Sequence, residues 1–286
     1  MKTFSKISAF TLALAVSQTS LADPFTACPT DAFLIQDKLA TLYGVQLATG
    51  QYQLLSNTMG TTNKLNALAF NFHDQYLYAW SSEYSEPVRI DNTYQVSPLS
   101  TSGLPDTSFY VGDISLDNNW YYVYRPGSAY GLYVISLDSS DPSYLAAERV
   151  IDGASLNLRI YDMAFHPFNG LAYSVDNLGN LYSINVTDGS ATLINNVGET
   201  GVFGAVYFDV DENLYISRNS DGQVFRINTK DTKPVADLFA YGPSSSNNDG
   251  ARCALAPVID TEIATIDFGD APASYGSLAA DNGARH

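Results

Sequence analysis

The sequence predicts an all-β fold: a five-bladed β-propeller with one blade built from both ends of the chain and a short irregular tail behind it. Three observations point there. A short strand motif recurs at residues 41–46, 86–91, 131–136, 179–185 and 222–228, and its aliphatic marks Val45, Ile90, Ile135, Ile184 and Ile227 lie 45, 45, 49 and 43 residues apart. A second column, Phe70, Leu116, Phe165, Phe208 and Cys253, closes five other apolar segments and steps by 46, 49, 43 and 45 residues. The first unit lacks such a segment at its front, whereas the C-terminal end carries one, residues 249–254, with no unit behind it. Repeats of roughly 40 to 50 residues without helical patterning are the mark of propeller blades. A blade shared between the two ends closes the array so that neither end is left as an unpaired edge. The alternative of six blades needs another unit within residues 98–109 or 145–160, and neither stretch is long enough for four strands.

Taken from the N-terminus, the chain opens with Lys2 and Lys6, an apolar run over residues 7–16, and the small-residue signal Ser20-Leu21-Ala22. This predicts a secretory signal peptide, residues 1–22, cleaved after Ala22. The apolar run is far short of the roughly 20 residues that span a bilayer, so no membrane span is expected after cleavage. The location that follows is secreted: extracellular, cell surface or periplasm. Cleavage removes two lysines and no acid, taking the formal charge from -16 to -18. A protein this acidic is a poor partner for nucleic acid or an anionic membrane, which both reward clustered Lys and Arg.

The propeller domain is expected over residues 23–258. Its first unit has three strands, at residues 32–36, 42–47 and 52–55. Later units each begin with a first strand, at 65–70, 111–116, 160–165 and 203–208, followed by a second strand at 76–80, 120–124, 171–175 and 214–217. Residues 251–257 are the missing strand, expected beside 32–36. Cys28 and Cys253 are the only cysteines and flank the two strands that must meet there. In an exported chain this predicts a disulfide, which the chain-entropy relation values at about 5 kcal/mol for so long a loop.

Residues 259–286 form a linker and a tail with no hydrophobic period. The tail contains DFGDAPASYG (267–276) and DNGARH (281–286), and the preceding region contains NALAFNFHDQYLYAW (66–80), YDMAFHPFNGLAYSVD (161–176) and SSSNNDGARCA (244–254). On these stretches the chain resembles an uncharacterised secreted bacterial β-propeller family found at the N-terminus of large surface proteins, followed by a DFGDAPxSYG/DNGARH-type motif. The resemblance implies a propeller fold and a cell-surface setting.

Asp113 and Asp162 share a place in the first-strand column, and Asp249 stands one residue earlier in its copy. Three carboxylates from three blades are therefore expected to converge at the channel mouth. They could act as a glycosidase-like acid and base, since neighbouring carboxylates split their pKa values. They could instead hold a calcium ion, with Asn66 and backbone carbonyls completing its oxygen shell, or simply line the channel. Residues 209–213 superficially resemble a calcium loop but lack its glycine and distal glutamate, and they read as a hairpin turn. His73 and His166 fall in equivalent turns. Asn185-Val186-Thr187 forms a glycosylation sequon, but Thr187-Asp188-Gly189 also reads as a hairpin turn.

The loops on the face where the first strands begin combine aromatics with Ser, Asn and Gly, as recognition surfaces do. Tyr84, Arg125, Tyr130 and Tyr241 are the candidate ligand contacts there. No phosphate loop, no Ser-His-Asp spacing and no spare cysteine is present. The function expected is non-enzymatic recognition of an extracellular glycan or protein, with no cofactor beyond the candidate calcium; the alternative is a glycan-cleaving enzyme using the three acids.

Overall fold

A computed structural model describes residues 23–259; the expected signal peptide and the DFGDAP-type tail lie outside the described residues. Twenty strands form five four-stranded antiparallel sheets, with no helix among the described residues. Blade 1 contains β1 (Ala32–Gln36), β2 (Thr41–Gln46) and β3 (Gln51–Ser56). Blade 2 contains β4 (Leu65–Phe70), β5 (Leu77–Ser81), β6 (Glu86–Ile90) and β7 (Val96–Pro98). Blade 3 contains β8 (Val111–Ile114), β9 (Trp120–Arg125), β10 (Gly131–Ser136) and β11 (Ala147–Asp152). Blade 4 contains β12 (Ala164–Phe165), β13 (Ala172–Val175), β14 (Asn180–Ile184) and β15 (Ala191–Asn196). Blade 5 contains β16 (Phe203–Phe208), β17 (Asn213–Arg218), β18 (Gln223–Asn228) and β19 (Asp237–Tyr241). The last strand, β20 (Asn248–Ala251), returns to blade 1 and supplies its inner strand. Five sheets exclude the six-blade alternative.

Closure differs from the sequence expectation in one respect. The strand that pairs with β1 is Asn248–Ala251, with Gln36 opposite Asn248 and Phe33 opposite Ala251, and not residues 251–257. The following residues turn instead, because the Arg252 guanidinium gathers the carbonyls of Phe208, Cys253, Ala256 and Pro257 around itself and also donates to Thr30. Five carbonyls on one buried cation cannot be kept in a straight ladder. The Cys28–Cys253 disulfide follows at once, with a Cα–Cα distance of 5.5 Å across a separation of 225 residues. Strand and covalent bond thus close the ring at adjacent positions.

The core lies between blades. Leu42, Leu68 and Val88 pack blade 1 on blade 2. Trp80 and Phe109 meet edge-on between blades 2 and 3, with centroids 5.0 Å apart. Three further apolar clusters fill the remaining junctions. Inner strands are buried on both faces, β16 along all six residues, and this explains their uninterrupted apolar sequences. Outer strands such as β15 are mostly exposed, with Leu193 and Ile194 among the exposed residues.

Candidate ligand-binding site at the channel mouth

The three acids singled out by the repeat sit deep between inner strands, where they join neighbouring blades. Asp249 of blade 1 accepts the Ala67 amide (2.6 Å) and the Leu68 amide (3.0 Å) of blade 2. Both amides reach it because Ala67 adopts a left-handed conformation (φ 51°) at a bulge in β4, and successive N–H groups in such a bend make an anion-binding concavity. Asp113 of blade 3 accepts the Phe165 amide of blade 4 (2.7 Å), and Asp162 of blade 4 accepts the Val206 amide of blade 5 (2.7 Å). The two remaining junctions use tyrosine hydroxyls: Tyr121 donates to the Ala67 carbonyl and Tyr207 to the Phe33 carbonyl. Gly250 makes the latter approach possible, since a β-carbon there would collide with the Tyr207 ring.

Burial raises all three carboxyls. Asp113 is pushed up to about 7, against the pull of the Phe165 and Ile114 amides. Asp162 and Asp249 rise well above the usual carboxylate range, and Asp162 is raised further by the charge of Asp249. Asp113 alone retains partial accessibility. Among the described residues no group of three or more His, Cys, Asp or Glu side chains is placed to hold a metal ion. His166 sits in a bottom-face turn, its Nδ1 accepting the Phe168 amide and its Nε2 lying 3.2 Å from Glu212. Asp209 accepts the Asp211 and Asn213 amides, as a plain hairpin turn requires.

Tyr84, Arg125, Tyr130 and Tyr241 all lie at the top face, where the inner strands begin. Tyr84 is exposed, and the Arg125 guanidinium stacks 4.5 Å from the Tyr130 ring centroid while donating to Ser108. None of the four lines the central depression. That cup, about 400 Å³, is bounded by Asn66, Tyr110, Tyr161, Gly204, Asn219 and the 246–248 segment, so every blade contributes. Its least ordinary feature is Asn248. The residue is 7% exposed, yet neither its amide oxygen nor its nitrogen has a hydrogen-bond partner. A buried unpartnered amide costs about 1–3 kcal/mol, and such a group in a concave site points to a ligand that completes it. Gly204 keeps the space open, because a β-carbon there would strike Asn248 Oδ1 and the Asn219 amide.

Tyr110 and Tyr161 also line a second cleft of about 300 Å³, together with Gly127, Asn157 and Arg159. The sequence reading missed these two tyrosines as site residues. Both stand just ahead of an inner strand, a position the repeat column could have marked.

Comparison with known proteins fits this architecture. A family model described as a repeat of unknown function, DUF6923, matches residues 33–255. The chain belongs to this family. No match is found among curated proteins. Among solved structures, the DUF6923 chain is similar to a chain of the nidogen/laminin complex, with a TM-score of 0.53 and 13% identity over 80% of this chain and 83% of that one. It is also similar to a gluconolactonase from Xanthomonas campestris, with a TM-score of 0.50 and 14% identity over 78% and 79% of the two chains. A protein of unknown function from Bacteroides thetaiotaomicron gives a TM-score of 0.50 and 11% identity, over 73% of this chain and 56% of that one. At such identities the likeness is one of fold.

Proposed function

We propose that this DUF6923 propeller is a secreted, non-enzymatic recognition module that binds an extracellular glycan in the cup at its channel mouth. The observation that carries the reading is a cavity of about 400 Å³ whose lining includes Asn248, a buried amide with no hydrogen-bond partner. Asn66 and Asn219 add amides, and Tyr110 and Tyr161 add apolar faces with polar tips. Paired amides and hydroxyls suit the dense donor and acceptor pattern of a sugar, and a tyrosine face suits its C–H surface. A folded protein partner would instead need roughly 800 Å² of open face, and a cavity of this size admits little more than one or two sugar rings.

Cleavage of the bound glycan is the rival, and Asp113 supports it with a pKa near 7 and partial accessibility. Against it, neither cavity has a carboxylate in its lining, and all three acids are engaged by backbone amides. A glycan array followed by a reducing-sugar assay separates the two. Binding without release of reducing ends is the expected result, with binding lost in Asn248→Ala at a melting temperature that does not fall. Release of reducing ends that stops in Asp113→Asn would establish the enzyme instead. An array with no hit would remove the glycan reading.

A further inference from the structure

Resting on the glycan reading above, we infer that the cup and the adjoining cleft form one groove for an acidic oligosaccharide, with a carboxylate-bearing sugar seated beside Arg159. The two cavities share Tyr110 and Tyr161 and so adjoin at these side chains, within reach of one extended ligand. Arg159 in the cleft is exposed and engaged by no ion pair or hydrogen bond among the described residues. Arg125 stands close by, its charge felt by the Tyr110 phenol, and Lys64 holds Asn247 at the cup rim with its Nζ 2.8 Å from the Asn247 amide oxygen.

The contrast with the rest of the chain gives these three cations their meaning. The sequence has 30 acids against 14 Lys and Arg, yet among the described residues no Asp or Glu lines either cavity. Asp162 and Asp249, whose pKa values burial raises, are spent on backbone amides of the neighbouring blades and line neither cavity. A carboxylate in the cleft therefore meets a guanidinium able to bind it with two parallel bonds. The acidic remainder of the surface repels a long polyanion, but at 0.15 M salt a charge more than about 8 Å away is largely screened. Short oligosaccharides with separated carboxylates are thus the favoured class, while nucleic acid is not.

The test is calorimetric titration at 0.15 M ionic strength with trigalacturonic acid and with its carboxyl-reduced trimer, each against wild type, Arg159→Gln and Asn248→Ala. Tyr161→Ala replaces Asn248→Ala should the latter unfold. The acidic trimer is expected to bind about tenfold more tightly than the reduced one, as one charge-assisted contact supplies. Arg159→Gln should erase that preference and leave the reduced trimer unaffected, whereas Asn248→Ala should weaken both. Equal binding of the two trimers, or a preference that survives Arg159→Gln, overturns the acidic subsite while the glycan reading stands. Failure of both trimers alongside a neutral hit on the array overturns it as well, and an array without hits removes both readings.

Discussion

Asp249 shows how one side chain can join two blades. Its oxygens take two amides from the bulge at Ala67, which no strand partner could satisfy. Asp249→Ala leaves both unpaired and is expected to cost about 2 kcal/mol or more, or roughly 4–8 °C in Tm by thermal melt; Asp249→Asn keeps one acceptor and should cost less. The raised pKa values also set a pH dependence. A carboxyl whose folded pKa lies above its ordinary 3.8 holds its proton more tightly when folded, so its stability contribution is full below about pH 4 and is lost as pH rises. For Asp113 the loss runs to about pH 7, and Asp162 and Asp249, also raised by burial, act in the same sense. The turn acids Asp138, Asp141, Asp152 and Asp188, lowered by hydrogen bonds from following serines, act oppositely and lose their contribution only as pH falls below about 4. The urea midpoint should therefore fall between about pH 4.5 and 7, and Asp-to-Asn changes at 113, 162 and 249 should flatten that slope. A midpoint that rises across this window would show the three acids ionised in the folded protein.

Among the elements, the inner strands and the outer strand of blade 1 were legible and the outer strands of blades 2 to 5 were not, for a physical reason. Strands such as β4 and β16 are buried on both faces and are almost wholly apolar, whereas β7, β11, β15 and β19 are half-buried or exposed along most of their length, and their apolar residues, such as Leu193 and Leu238, do not mark a buried face. β12 shrank to Ala164–Phe165, because Asp162 spends its backbone carbonyl on the Ser174 hydroxyl and a carboxyl oxygen on its neighbour's amide. The closing strand lies a few residues earlier than the sequence predicts because Arg252, on which the repeat columns carry no signal, is a buried hub with bonds to five carbonyls. Arg252→Met should destabilise by about 3 kcal/mol, since several buried acceptors lose their donor together, and chemical denaturation would register it. Reduction of Cys28–Cys253 should lower Tm by about 10 °C or more, given a bond spanning 225 residues. A melt unchanged by reductant would mean that β20 and Arg252 suffice to hold the ring.

At the scale of the whole molecule, the ring brings together residues that the sequence keeps far apart. Asn66, Tyr110, Tyr161, Asn219 and Asn248 come from five blades and meet only when the array closes. Tyr84, Arg125, Tyr130 and Tyr241, the contacts expected from the sequence, lie on the same face as the cup but do not line it. The acids were visible as a repeat column, yet their partners are backbone amides of the next blade, which no side-chain pattern reveals. The most direct test of the recognition site is amide hydrogen exchange of the full chain with and without a glycan that binds on the array. Protection should appear at residues 109–112, 159–162 and 245–248, around the cup. Protection confined to the bottom-face turns near His73, His166 and Asp211, with none at the cup, would contradict the placement of the site.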